Sequence, residues 1–231
     1  MSDRAFEYLK DFIFIAISSA LLVLSYPKFD LGILAWIGLI PLLLAIREKP
    51  PAAGFVFSTI CGILFFLGVF HWILEIKGYT GFHHALLAVY LGSYFGLIFC
   101  FIGRRRGPGW ALFAAPFIWV CLEFIRSHFL FLALPWGLLG HTQYQYPLVI
   151  QIAAITGTYG ISFWVVLVNA VLASWVFPLV RHWIPVQKSP EVSLDARPHR
   201  ALLIYTAIFT VLTLIYGPEF KPSYEDSPSH R

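Results

Sequence analysis

The sequence predicts an all-α, polytopic integral membrane bundle of about seven transmembrane segments, entered from a cytoplasmic N-terminus. Three observations predict it. The 231 residues are 59% hydrophobic and only 12% charged, with a mean hydropathy of +0.76, whereas a soluble domain carries about 25% charged residues. Long stretches hold almost no charge, and an apolar run of roughly 18 residues or more crosses a bilayer as a helix that satisfies its own backbone. The basic residues fall in short clusters between those stretches, as topology signals do.

In chain order, residues 12–26 and 31–46 come first, on either side of the turn Pro27-Lys28-Phe29-Asp30. Each has a length compatible with a thin span or with half of a re-entrant hairpin, and either way the chain returns to the side it left. Residues 12–24 have the look of a signal peptide core. The acidic residues before them, Asp3, Glu7 and Asp11, and the absence of a small-residue cleavage site at Ser25-Tyr26-Pro27-Lys28 predict instead a segment that stays attached. Residues 53–74, 83–103, 110–125, 148–179 and 201–217 then read as full spans. Within the fourth of these, Thr156-Gly157-Thr158-Tyr159-Gly160 brings two glycines that permit close packing or a break. Residues 181–200 are polar and proline-containing and read as a cytoplasmic loop. Domain organisation follows: a transmembrane helical domain over residues 1–217 and a short, disordered external tail over 218–231.

Orientation comes from counting alternate loops. Arg4, Lys10, Arg47, Lys49, Arg104, Arg105, Arg106, Arg181, Lys188, Arg197 and Arg200 collect on one side, and Lys28, Lys77, Arg126, Lys221 and Arg231 on the other. The richer side is cytoplasmic. These cations form no stripe of their own, so the net charge of +4 carries no signal for nucleic acid.

Ionisable side chains inside a bilayer cost roughly 2.5–3.5 kcal/mol each at mid-helix, which makes the few present candidates for function. His71, Glu75, Lys77, His83, His84, Glu123, Arg126, His128 and His141 all map to the external end of the bundle. Glu123 and Arg126 are three apart on one helix face. Two readings stay open for them: an ion pair closing its span, or a functional pair that anchors the following loop or meets a lipid headgroup, for which a guanidinium is suited. Residues 129–140 are uncharged, too short for a span and bent at Pro135-Trp136-Gly137, so they lie at the outer boundary. Trp136 reads as one more interfacial aromatic. The histidines show no metal-ligand spacing, and no metal or other cofactor is expected. Cys61, Cys100 and Cys121 fall in apolar stretches and read as buried small hydrophobes. Asn169, the single Asn of the chain, reads as a hydrogen bond between helices.

Together these pieces resemble the membrane domain of apolipoprotein N-acyltransferases. The resemblance is carried, in order, by Leu24-Ser25-Tyr26-Pro27 with Phe29-Asp30-Leu31-Gly32, by residues 34–43, and by residues 62–68 with His71-Trp72-Ile73. It continues through Leu122-Glu123-Phe124-Ile125-Arg126, Pro135-Trp136, and residues 156–163 through to Asn169. It implies a multi-pass protein of the bacterial inner membrane. The partners it implies are phospholipid and a diacylglyceryl apolipoprotein. The lipid-binding residues it implies are His71, Trp72, Glu123, Arg126, Pro135, Trp136 and Tyr159.

The family's chemistry is acyl transfer from phospholipid, through a cysteine thioester, to the amino group of the lipoprotein's N-terminal cysteine. In the family a nitrilase-like domain following the seventh span supplies Glu, Lys and Cys for it. Residues 218–231 offer no cysteine and one lysine, Lys221. The expectation is therefore a membrane half, split or truncated, with no catalytic residue of its own and a separate nitrilase-like chain as the partner that would supply them. The alternative is a noncatalytic module that binds phospholipid or lipoprotein.

Overall fold

The computed structural model describes residues 3–46, 49–102, 108–180 and 196–216. All regular structure among them is helical. The first helix, α1 (Asp3–Leu24), buries Asp11, Ile15, Ser18, Ser19 and Leu22, while Phe12, Ile13 and Ile17 are exposed. The buried set recurs at helical spacing and mixes Ser18, Ser19 and Asp11 with Ile15 and Leu22, while large apolar groups also face out. That is how a helix packs when its surroundings are lipid.

The chain turns through Ser25–Leu31 and comes back as a broken limb. A 3₁₀ turn, Gly32–Leu34, leads into α2 (Ala35–Gly38) and α3 (Ile40–Ile46). Breaks in an apolar helix are tolerated where protein groups satisfy the freed backbone. Ser18 Oγ donates to the Gly38 carbonyl at 2.5 Å. Asn169 accepts from the Leu39 N–H at 2.9 Å and donates to the Ala35 carbonyl at 2.8 Å, the inter-element bond expected of it. At the foot of the limb, Lys49 pairs with Asp11 at 2.5 Å. The limb therefore runs back beside the last 13 or so residues of α1, about 20 Å of helix.

Next come α4 (Pro51–Val69) and α5 (Gly81–Ile102), which meet backbone to backbone. A Cβ on Gly62 would lie 2.8 Å from the Gly92 Cα, and one on Gly92 only 2.7 Å from the Ile63 nitrogen. Then follow α6 (Pro108–His128), the short α7 (Pro147–Ile150), α8 (Ala153–Val180) and α9 (Ala196–Tyr216). The expected glycine break is present: Gly157 (φ 64°, ψ −177°) interrupts α8 near its start. At the centre, the rings of Phe65, Phe66, Phe95 and Trp119 pack together, with centroids 4.7–5.8 Å apart.

The protein is thus an all-α, multi-pass membrane bundle, but its crossings are less uniform than the sequence suggests. Among the described residues three helices are long and apolar enough to cross a membrane: Pro51–Val69, Gly81–Ile98 and Ala153–Val180. Of the seven expected segments, the first lies in a helix that begins in charged sequence, at Asp3. The second is the broken limb. The segment in α6 carries Glu123 and Arg126, and the last is apolar only over Arg200–Thr213. The segment expected over 53–74 stops as an α-helix at Val69 and tightens into a 3₁₀ turn, His71–Glu75. Residues 196–200, expected in a loop, form the first turn of α9, while residues 181–195 and the expected tail at 218–231 lie outside the described residues.

Candidate functional site

The polar residues gather where α1, α4 and α6 end. Glu123 and Arg126, in the last two turns of α6, are 6% and 3% exposed, yet they form no ion pair with each other. Each holds a different part of the loop that follows. Glu123 Oε1 accepts from the Trp119 indole at 2.9 Å and from the Leu139 N–H at 2.8 Å. The Arg126 guanidinium donates to the carbonyls of Leu134 at 3.0 Å, Trp136 at 2.8 Å and Gly137 at 3.4 Å. Its flat face lies over the Phe66 ring, 5.5 Å from the centroid, an arrangement that suits a weakly hydrated cation.

The two side chains make no direct ion-pair contact, and their hydrogen bonds go to the loop instead. A buried guanidinium with three of its five N–H groups on loop carbonyls is a positioning group. Further contacts fix the same loop. Tyr26 donates to the Leu138 carbonyl at 2.9 Å, Tyr90 to the Leu132 carbonyl at 3.1 Å, and the Gly140 N–H to Ser162 at 2.8 Å. Gln143 bridges the limb, donating to the Gly32 carbonyl and accepting from the Trp36 indole, both at 2.9 Å. The loop is irregular, and side chains of other elements take up several of its backbone groups, as a loop at membrane depth requires.

The clamp presents the Pro135-Trp136 corner. Gly137, at φ 68°, takes the left-handed conformation that turns the chain away after it, and Trp136 is left half exposed, its ring 5.7 Å from that of Trp72. Trp72 and His71 sit in the 3₁₀ turn after α4, where His71 Nδ1–H donates to the Gly68 carbonyl at 2.8 Å. Beside them opens a cleft of about 360 Å³, lined by Tyr26, Lys28, Phe29, Val69, His71, Trp72 and Glu75 among others. His71, Trp72, Glu123, Arg126, Pro135 and Trp136 are thus brought to one region. Tyr159 is not among them: it belongs to α8 and its ring packs on another part of α6, 5.7 Å from Phe124 and 6.5 Å from His128.

The remaining histidines are dispersed. His83 bonds to Thr80, His84 to the Leu67 carbonyl and His128 to the Phe124 carbonyl, and no group of three or more metal-ligating side chains exists among the described residues. In the loop, burial and then the nearby Arg126 charge push the His141 imidazole below its ordinary value of 6.5. The cysteine expectation needs correcting. Cys61 is buried, but Cys121 is exposed on the outer face of α6, because the helix turns that position away from the bundle.

Residue reasoning overlooked Tyr26, Trp119, Gln143 and Lys28 as parts of this region. Trp119 was findable, being one helical turn before Glu123. The other three gain their roles from contacts more than forty residues away and leave no local signal.

Comparison with known proteins now bears on this geometry. The family model described as the apolipoprotein N-acyltransferase N-terminal domain matches residues 18–171. The chain is 32% identical over 217 residues to apolipoprotein N-acyltransferase of Geobacter metallireducens, covering 90% of this chain and 39% of that protein. It is 31% identical over 223 residues to the Rhodopirellula baltica protein of that name, with 87% and 36% covered. It is 30% identical over 172 residues to the one from Chlorobaculum tepidum, with 71% and 31% covered. The matched stretch spans only 31–39% of the length of these relatives.

Proposed function

The chain belongs to the apolipoprotein N-acyltransferase family, and from that premise we propose that it supplies the membrane half of such an enzyme in the bacterial inner membrane. In this reading it has seven crossing segments and a cytoplasmic N-terminus. It receives phospholipid and diacylglyceryl apolipoprotein at the Trp72–Trp136 end of the bundle. A nitrilase-like domain, in the same chain or a partner, performs the chemistry. There a cysteine thiolate attacks the phospholipid ester carbonyl and forms a thioester as the lysolipid leaves with a proton. The lipoprotein amine then attacks the thioester, loses a proton and regenerates the thiol.

The observation that carries the reading is the clamp. Glu123 and Arg126 hold the Pro135-Trp136 corner from below by charge-assisted hydrogen bonds, each worth about 1.5–3 kcal/mol. A rigid corner that keeps a half-exposed indole opposite a second one, beside a cleft with a cation at its rim, suits an amphiphile: apolar walls for the acyl chains, polar groups for the head. His71, Trp72, Pro135 and Trp136 make that surface in our reading. Tyr159 flanks the outer face of α6, where an acyl chain would pass.

Complementation tests it. A bacterium depleted of its N-acyltransferase is given this chain alone, a nitrilase-like domain alone, or both, joined or separate. Rescue is expected only with both, and it is expected to fall at least tenfold with Trp136→Ala or Arg126→Ala. Rescue by residues 1–231 alone would overturn the assignment of chemistry to another domain. Phospholipid binding without rescue in any combination would replace the proposal with a noncatalytic binding module.

A further inference from the structure

We propose that the cleft between the turn after α1 and the 3₁₀ turn after α4 is a phosphodiester site, with Lys28 as its anion-binding residue. The inference rests on the lipid-binding reading above and names the headgroup contact that reading lacks, since three of the Arg126 N–H groups are on loop carbonyls and Arg126 does not line this cleft.

Lys28 is held, although it is exposed. Its ammonium lies 2.7 Å from His71 Nε2, and the other ring nitrogen of His71 donates to the Gly68 carbonyl. That second bond places the proton on Nδ1 and leaves the Nε2 lone pair to accept from the lysine. One of the three ammonium N–H bonds is thereby used, and two remain for a ligand. The backbone supports this placement at a cost: Lys28 has φ 101° and Asp30 has φ 58°, a region that non-glycine residues rarely occupy and that tends to mark functional turns.

The Lys28 charge is also free of a carboxylate partner. The Lys49–Asp11 contact is the ion pair found among the described residues, and the acid nearest to Lys28 in sequence, Asp30, accepts from the Tyr144 hydroxyl at 2.5 Å. Glu75 lines the same cleft without pairing to Lys28. With one cation and one carboxylate in the cleft, a singly charged anion is favoured over a dianion. A phosphodiester is singly charged, and inorganic phosphate near pH 7 carries about −1.5. The rest of the lining is apolar and aromatic: Val23, Phe29, Val69 and Trp72, with the Phe29 ring 5.9 Å from the ammonium. Trp72 joins this wall to Trp136, so a headgroup at Lys28 leaves its chains along the tryptophan pair.

The test is equilibrium binding to the full 231-residue chain in a non-ionic detergent. The probes are dihexanoyl-phosphatidylglycerol, dihexanoylglycerol without phosphate, and inorganic phosphate. Tight binding of the phosphodiester alone is expected, weakened about tenfold by Lys28→Gln, the worth of one charge-assisted hydrogen bond. Lys28→Arg is expected to restore most of it, and Trp136→Ala to weaken the two glycerolipid probes alike. Thermal unfolding of each variant separates lost binding from lost fold, and an exposed lysine is expected to leave the melting point unchanged. If Lys28→Gln binds the phosphodiester as the native chain does, the Lys28 assignment fails while lipid binding stands. If inorganic phosphate binds as tightly as the diester, the site belongs to free phosphate and the headgroup assignment fails. If the native chain binds neither glycerolipid, the lipid-binding reading itself is overturned.

Discussion

Glu123 has two neighbours that depend on it, and that defines a test at a single side chain. The Trp119 indole and the Leu139 N–H both donate to one of its oxygens in a buried setting. Glu123→Ala leaves both donors unsatisfied and is expected to cost at least about 2 kcal/mol, whereas Glu123→Gln keeps an acceptor in place and is expected to cost under about 1 kcal/mol. Denaturant unfolding in detergent micelles gives the comparison, and equal losses for the two variants would remove the carboxylate from its bracing role. The helical spacing of Glu123 and Arg126 was enough to single them out. The partners of Arg126 were not legible, because three backbone carbonyls eight to eleven residues away carry no sequence signature. The loop also contains a titrating group. The fold holds the His141 imidazole below 6.5 by burial and then by the Arg126 charge, so the folded state prefers the neutral ring. Above 6.5 both folded and unfolded chains carry it neutral and stability is unaffected. As pH falls below 6.5 the unfolded chain takes up the proton first and stability declines. The melting temperature of the native chain should therefore drop between about pH 6.5 and 5 by more than that of His141→Gln.

Among the elements, α5 matches its sequence reading to within two residues at its start and one at its end, because a long uncharged run bounded by polar turns leaves little choice of boundary. The end of α4 did not follow hydropathy. Apolar sequence continues to Leu74, but His71 reaches back to the Gly68 carbonyl and satisfies an acceptor that the α-helix would otherwise leave to its next turn. That exchange starts the 3₁₀ turn and aims Trp72 at Trp136. The packing of α4 on α5 yields its own prediction. Gly62 and Gly92 face each other with no room for a Cβ, and the atoms in the way are backbone, so the two helices would have to separate to admit one. Gly92→Val is expected to destabilise the bundle by about 1–3 kcal/mol. It should also displace Phe95 from Trp119, visible as a red shift and quenching change in tryptophan fluorescence. Gly54, on α4, has open space where a Cβ would sit, so Gly54→Ala serves as the control and should be neutral or slightly stabilising.

For the molecule as a whole, the sequence conveys the number of chain reversals better than the number of ideal spans. Only three helices satisfy a length-and-apolarity criterion among the described residues, but the contacts show which loops share an end. Lys28 meets His71, Trp72 meets Trp136, and Gln143 meets Gly32, so the turns after α1, α4 and α6 lie together, while Lys49 and Asp11 meet toward the other end. The short limb escapes simple hydropathy because its apolar length is interrupted, and its missing backbone bonds come from Ser18 and Asn169 on other helices. Counting each reversal as a crossing is the premise of the topology proposed above, and it can be tested even where a single segment is short. This predicts a labelling pattern. In a cysteine-free background, Lys77→Cys and Gln145→Cys should both react with a membrane-impermeant maleimide in intact cells, and Lys188→Cys only after permeabilisation. Reaction at residue 77 but not 145 would break the grouping of loops that builds the Trp72–Trp136 corner. Reaction of both only after permeabilisation would keep the bundle but turn it over, placing the Lys28 cleft on the cytoplasmic side, where a lipoprotein already exported through the membrane could not reach it.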